Sequence, residues 1–274
     1  MAADSRQKGR SRIERNAYAT LITSDDFRPG VEVLLSSIVS TGTLHPTVVM
    51  YTEQVSRNQV EAMIKFAAGI SKRITFRKVD AIGKGGGCDG AAHVQGWEVA
   101  AYTKLALWSL TEYERLVYID ADAVVLENVD ELFDRPAFAA APDVFPPDKF
   151  NAGVLVVKPD KNIFERMLDA RKSLQSYDGG DTGFLNAFFS EWYTMPAEHR
   201  LPFSYNAQRT VHWLSFEKNP GYWNAIKPIK ILHYSSSPKP WDATAKRGPL
   251  EMEWWMRYVA AVGPSAMMGH VTMS

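Results

Sequence analysis

Two aspartates one residue apart, Asp120 and Asp122, close the most apolar strand candidate in the chain, Leu116-Val117-Tyr118-Ile119. A run of that length, rich in β-branched and aromatic side chains, reads as a buried strand. Side chains two apart on an extended chain point the same way, so the two carboxylates converge on one cation while Ala121 turns aside and leaves room. A cation held there would in turn grip an anionic ligand, a diphosphate before any other. Isolated D-x-D triplets more often cap loops or sit in solvated turns. Position argues for the metal here, because unpaired charge at the end of a buried strand is costly.

Other residues able to join this chemistry are scattered along the chain. His233 follows the short apolar run Ile229-Lys230-Ile231-Leu232, and Lys239 comes six residues later in Ser235-Ser236-Ser237-Pro238-Lys239-Pro240-Trp241. A lone histidine is usually structural. At a strand end, with a lysine in a rigid Pro-flanked loop beyond it, the pair can supply a third metal ligand and a phosphate contact. Two more acids, Asp178 and Asp181, stand in Ser176-Tyr177-Asp178-Gly179-Gly180-Asp181-Thr182-Gly183, ahead of a helix carrying Phe184, Leu185, Phe188, Phe189 and Trp192. Capping alone accounts for Asp181 at the N-cap, whereas Asp178 is harder to explain that way. Lys104 lies near the apolar stripe of a helix expected from about Trp97 to Leu110, where it is either solvated or within reach of a phosphate. Asn151-Ala152-Gly153 opens the strand Val154-Leu155-Val156-Val157, which suits either a close backbone approach to a ligand or a tight turn.

Strand and helix alternate around these residues. Ala17 to Ile22 reads as a first strand, Thr23 to Asp26 as its turn, and Pro29-Gly30 opens a helix with Val31, Leu34, Leu35, Ile38 and Val39 at helical spacing. Thr47 to Tyr51 is a second strand, Ser56 caps a helix from about Arg57 to Ala68, and Ile74-Thr75-Phe76 begins a third strand. Such alternation predicts an α/β fold with a parallel sheet and ligands beyond the strands' C-terminal ends. The Thr23 turn and the Asp120 turn then share one cleft. Further on come a helix start at Asn128-Val129-Asp130-Glu131, a small-residue strand Phe138 to Ala141, a helix from Lys161 to Ser173, and an amphipathic helix from Leu250 to Val262 bearing Trp254, Trp255 and Met256. The glycine-rich stretch Gly83 to Gly90 fits neither a P-loop nor a dinucleotide fingerprint and reads as a surface loop or a lid.

Composition narrows the classes. The 274 residues form one large domain, 17–262, behind a basic disordered leader, 1–16, and before a disordered tail, 263–274. Lys+Arg and Asp+Glu balance at 31 each, so nothing points to nucleic acid as a partner. No stretch reaches the roughly 18 to 20 apolar residues of a membrane span. Cys88 is the only cysteine, which excludes an internal disulfide and fits a reducing compartment, so a cytoplasmic location is expected.

Taken in order, several blocks resemble the glycogenin-like members of family 8 of the retaining glycosyltransferases. They are Thr20-Leu21-Ile22-Thr23, Thr103-Lys104-Leu105, Tyr118-Ile119-Asp120-Ala121-Asp122, Phe150-Asn151-Ala152-Gly153-Val154, Asp178-Gly179-Gly180-Asp181, Leu201-Pro202-Phe203 with Tyr205-Asn206, and His233 through Lys239-Pro240-Trp241. The resemblance covers Ala17 to Trp241 and implies a GT-A type, Rossmann-like mixed sheet flanked by helices. It also implies hexose transfer from a UDP-sugar with Mn²⁺, or Mg²⁺ less well. Asp120, Asp122 and His233 would bind the metal. Lys239, with Ser236 in its loop, would bind the diphosphate; Leu21, Thr23 and Ser24 would line the uridine pocket, and the Ala121 backbone the ribose. Lys104, Asn151, Ala152, Gly153, Asp178 and Asp181 would surround the sugar, with Asp181 best placed to stabilise an oxocarbenium-like state.

Departures fall at the sugar and acceptor end. Trp213 stands where glycogenin carries the tyrosine that receives the first glucose, so self-priming at that position is not expected. Thr182 replaces a glutamine, Phe27 a tyrosine, and Ala91-Ala92-His93-Val94-Gln95 holds no clear counterpart of a lid arginine. UDP-glucose is the first choice of donor, ahead of UDP-galactose, UDP-N-acetylglucosamine and UDP-glucuronate. The acceptor is a separate molecule, whether polyol, lipid, glycan, small metabolite or protein. Relatives often pair, and the Trp-rich C-terminal helix is a candidate surface for a homodimer. A non-catalytic nucleotide-sugar-binding or scaffold protein is the alternative; a nicotinamide oxidoreductase lacks its glycine fingerprint.

Overall fold

A computed structural model describes residues 12–83, 102–144, 148–216 and 218–263. Most of the basic leader, the tail, the greater part of the glycine-rich stretch and residues 91–95 lie outside the described residues. Strands β1 (Asn16–Ile22), β2 (Thr47–Tyr51), β3 (Ile74–Lys78) and β4 (Arg115–Ile119) run parallel to one another. Strand β5 (Ala123–Val125) leaves for a second sheet; β7 (Phe150–Val157) lies antiparallel beside β4, and β6 (Ala139–Pro142) pairs antiparallel with β7 at the sheet edge. The main sheet therefore has the order β3-β2-β1-β4-β7-β6, mixed and mostly parallel, as expected.

Both faces of this sheet are covered. Ala17, Ala19, Leu116 and Tyr118 pack with Trp108, Met167 and Phe184 on one side, while Tyr18, Val117 and Ile119 pack with Leu34 and Ile38 on the other. Burial on two faces explains why these strands are continuous apolar runs instead of alternating ones. The helices are α1 (Arg12–Arg15), α2 (Arg28–Ser40), α3 (Arg57–Ile70), α4 (Lys161–Ala170), α5 (Asp181–Phe188), α6 (Arg209–Ser215), α7 (Gly221–Ala225) and α8 (Pro249–Val262).

The second sheet, β5-β9-β8, joins distant parts of the chain, with β8 at Ala207–Gln208 and β9 at Ile231–His233. Its register sets Ala123 opposite His233, which delivers the histidine next to Asp122. Helix α8 closes this sheet with Trp254, Trp255 and Tyr258, all buried in one core with Val124 and Leu232. The tryptophans are thus spent inside the subunit, and of the three residues singled out on this helix only Met256 is exposed.

Several boundaries differ from expectation for local reasons. Residues Thr103–Ser109 form a 3-10 helix, as do Asp130–Asp134, where α-helix was expected. Asn151, Ala152 and Gly153 lie inside β7, where a register shift of β6 between Ala140 and Ala141 accommodates them. Ser56 does not cap α3 with its side chain; its own N–H donates to Asp25 Oδ1 at 2.7 Å, tying the turns after β1 and β2 together. Residues 12–15 of the leader form the turn α1, with Arg15 paired to Glu114 at 3.0 Å.

Candidate active site

The chain turns at Ala121 instead of continuing as a strand: Ala123 N–H donates to the Asp120 carbonyl at 3.1 Å. Convergence of the two acids is therefore produced by a turn, not by strand alternation. That turn is clamped from both sheets, since Asp120 N–H donates to Gly153 O at 2.8 Å and Tyr234 N–H to Asp122 O at 2.9 Å. Gly30 makes it possible, because a Cβ there would stand 2.5 Å from Ala121 O and 2.7 Å from the Trp241 ring.

His233 Nε2 lies 3.2 Å from Asp122 Oδ1 and 3.8 Å from Asp120 Oδ2. One ligand atom from each of the three residues falls within a 4.8 Å cluster, the only such group among the described residues. The ring's other nitrogen, Nδ1, is 2.7 Å from Asn206 Oδ1, and Asn206 Nδ2 donates to Asn151 Oδ1 at 2.9 Å. With the amide oriented by that second bond, Nδ1 donates to Asn206 Oδ1 and Nε2 is the ring nitrogen that faces the acids. Gly153 gives the ring its room: a Cβ would sit 2.3 Å from His233 Cε1. Two converging carboxylates, one half-buried and one buried, and one oriented imidazole make a donor set suited to Mn²⁺ and, less well, Mg²⁺.

Two lysines balance the acids. Lys104, only 5% exposed, reaches Asp181 Oδ2 at 2.7 Å, Asp120 Oδ1 at 3.0 Å and the Ala152 carbonyl at 3.0 Å. Burial works against its charge, but Asp120 and Asp181 outweigh it and hold the ammonium protonated well above the usual lysine range. Lys239 Nζ is 2.5 Å from Asp122 Oδ2 and donates to Tyr234 O at 2.9 Å. Burial pushes the Asp122 carboxyl up, and Lys239 and His233 more than offset it, leaving the group far below the ordinary carboxylate range. Asp181 goes the other way: burial raises it, with Asp120 and Asp178 adding to the rise against the pull of Lys104. Tyr118 donates to Asp120 Oδ1 at 2.6 Å and is held neutral, first by burial and then by Asp120.

The structure thus gathers Asp120, Asp122, His233, Lys239, Lys104, Asp181 and the Asn151-Ala152-Gly153 backbone around one point. Leu21, Thr23 and Ser24 lie at the C-terminal end of β1, half-buried, and lead to Phe27, whose ring meets Trp241 at 5.6 Å and lies 5.8 Å from Lys239 Nζ. Asp178 and Ser236 are both engaged in hydrogen bonds within the protein. Asp178 Oδ1 accepts from Ser176 Oγ, Gly180 N and Gly183 N at 2.7 to 2.9 Å, so it is the acid that caps α5. Asp181, expected at the N-cap, is the first residue of the helix, and its carboxylate meets Lys104. Capping, the plainer reading of Asp181, thus falls to Asp178. Ser236 offers both its carbonyl and its hydroxyl to Arg209.

Asn206, Tyr118 and Gly30 were not assigned roles from the sequence. Tyr118 had a legible signal, two residues before Asp120 on the same strand face; Asn206 gains its meaning only from the β8–β9 pairing.

A mixed α/β sheet ending in a D-x-D turn, with a histidine and a lysine brought over it, defines a glycosyltransferase of the GT-A type. The chain belongs to Glycosyl transferase family 8, whose model matches residues 19–245. It is 34% identical over 249 residues to glycogenin-1 of Caenorhabditis elegans, covering 90% of this chain and 56% of that protein. It is 30% identical over 267 residues to inositol phosphorylceramide glucuronosyltransferase 1 of Arabidopsis thaliana, covering 91% and 44%. The chain thus spans about half the length of these relatives. A structure of the galactosyltransferase LgtC, solved with donor and acceptor sugar analogues, superposes with a TM-score of 0.68 at 17% identity, covering 93% of this chain and 99% of that one, and shares the fold.

Proposed function

We propose that this protein is a Mn²⁺-dependent retaining glycosyltransferase that moves a hexose, glucose first, from a UDP-sugar to a separate acceptor. The observation that carries the reading is the cluster of half-buried Asp120 with buried Asp122 and His233 at the C-terminal end of β4, with Lys239 against it. When bound, the ion would neutralise charge that builds on the departing diphosphate. The protein's own residues do the rest. Lys239 gives up Asp122 as its partner for a phosphate oxygen, and Thr23, Ser24 and Phe27 flank the nucleoside side of the cleft. Lys104 fixes the distance between Asp120 and Asp181, so Asp181 keeps a carboxylate beside the anomeric carbon as positive charge grows there.

Trp213 has no hydroxyl to glycosylate, which supports a separate acceptor. The single cysteine supports a reducing, cytoplasmic setting. The test is incubation with Mn²⁺ and a panel of UDP-glucose, UDP-galactose, UDP-N-acetylglucosamine and UDP-glucuronate, scored by released UDP. One donor is expected to stand out, and mass spectrometry should find no sugar on any tyrosine from Tyr205 to Tyr222. UDP release from none of them, with UDP still bound, would favour a nucleotide-sugar-binding protein without catalysis.

A further inference from the structure

Arg209 is the largest charged side chain fully withdrawn from solvent, 0% exposed at the start of α6. Its guanidinium donates to Ser236 O at 2.7 Å, Ser236 Oγ at 3.0 Å and Pro238 O at 2.8 Å, and pairs with the buried Glu251 at 3.0 Å. Those acceptors lie one to three residues before Lys239, whose ammonium faces Asp122. The pair Arg209–Glu251, with Pro238, Trp213, Thr244 and Leu250, lines a cavity of about 530 Å³. Close packing is missing beside this part of the loop, so the hydrogen bonds of Arg209 hold its Ser236–Pro238 backbone, while Asp242 accepts from Lys239 N–H at 2.6 Å on the other side of the lysine. Trp213, half exposed, lies flat against the guanidinium at 4.1 Å. The residue that replaces the self-priming tyrosine thus shields this tie from water, where a cation on an indole face gains most.

We propose that Arg209 is a positioning residue for diphosphate binding, holding the Ser236–Pro238 backbone so that Lys239 meets the phosphates of the nucleotide. A planar fork serves three acceptors and a carboxylate at once, which a lysine ammonium cannot do in the same geometry. This rests on the donor reading above, in which Lys239 contacts the diphosphate.

The test compares binding of UDP and of uridine, by calorimetry in Mn²⁺ and again in chelator, to the wild type, R209K, K239A and R209K/K239A. R209K keeps a charge beside Glu251 and so keeps the fold. R209M/E251M removes the buried pair together, leaving no uncompensated charge, and serves if R209K melts early. In R209K the affinity for UDP should fall about tenfold, the scale of one charge-assisted hydrogen bond. Uridine affinity should stay within about twofold. In the K239A background the substitution should cost nothing further, because its effect passes through that lysine. An unchanged UDP affinity, a parallel loss of uridine, or an undiminished loss in K239A would each overturn the proposal. Wild-type protein that fails to bind UDP would instead overturn the donor reading, and this inference with it.

Discussion

The two ends of the main sheet each hold a buried tyrosine bonded to an aspartate, and the two pairs have opposite fates. At the N-terminal end, Tyr18 donates to Asp130 Oδ1 at 2.7 Å, Thr43 Oγ1 donates to the same oxygen at 2.6 Å, and Asn128 Nδ2 reaches Oδ2 at 3.2 Å. Every donor there is neutral, short and fixed by its own strand or turn. At the C-terminal end, Tyr118 makes a bond of 2.6 Å to Asp120, but the other partners are a lysine, a histidine and two more acids. The first carboxylate is finished by the fold. The second belongs to a set whose charges are balanced by long side chains able to exchange partners, which is what a site for a cation and a phosphate needs.

The comparison breaks most sharply at the acids themselves. Asp120→Ala or Asp122→Ala should lower UDP release by about a thousandfold or more while the protein stays folded. Asp130→Ala should leave turnover within about twofold and lower stability by ~1–3 kcal/mol, the cost of orphaning buried donors. Steady-state rates and urea melts of the three variants decide it. Near wild-type turnover in either of the first two would remove the metal assignment.

Lys104 sharpens the contrast through stability. Lys104→Met leaves Asp120 and Asp181 facing each other without their shared cation, so folding should weaken by ~3–5 kcal/mol. Mn²⁺ supplies positive charge to Asp120, so adding it should recover part of the loss, read as a larger rise in melting temperature than the wild type shows. A variant as stable as the parent would mean that the buried lysine is not what holds these acids together.

Gly153→Ala probes the histidine together with the Asn151 oxygen that helps orient it. Its Cβ would press on the His233 ring, so metal affinity should fall about 10- to 100-fold, the range for disturbed support of a ligand, with β7 intact. Manganese titration by electron paramagnetic resonance reads this directly, and unchanged affinity would show that His233 has room to move.

How much of this was legible follows the same division. Strand runs such as Thr47 to Tyr51 were readable to the residue, because burial on both faces leaves a local, continuous signature. The acids, His233 and Lys239 were readable as types at strand ends. What stayed hidden depended on the turn itself. Whether Asp178 or Asp181 caps α5 is settled by the positive φ of Gly179 and by Gly183, whose missing Cβ leaves space for Asp178 Oδ1, and no spacing rule separates the two acids. Asn206 and Arg209 bond residues 27 to 55 positions away, so nothing near them in the chain announces their work.

The smallest effect comes from a charged cluster at the protein surface, where the contrast with the site should vanish. Glu131 accepts from Tyr205 at 2.8 Å and pairs with Lys230, and its side chain is 42% exposed. Burial raises its carboxyl, but the bonds from Lys230 and Tyr205 prevail and hold it below the ordinary glutamate range. A depressed carboxyl stabilises above its unfolded-state value, and that gain is lost as pH falls through its folded value. Screening at this exposure limits the gain to ~0.2–1 kcal/mol. Wild type should therefore exceed Glu131→Gln by that margin near pH 7, and the gap should close on acidification below the glutamate range while both variants release UDP at equal rates. A gap that persists at low pH would assign the difference to packing of the Glu131 side chain, not to its charge.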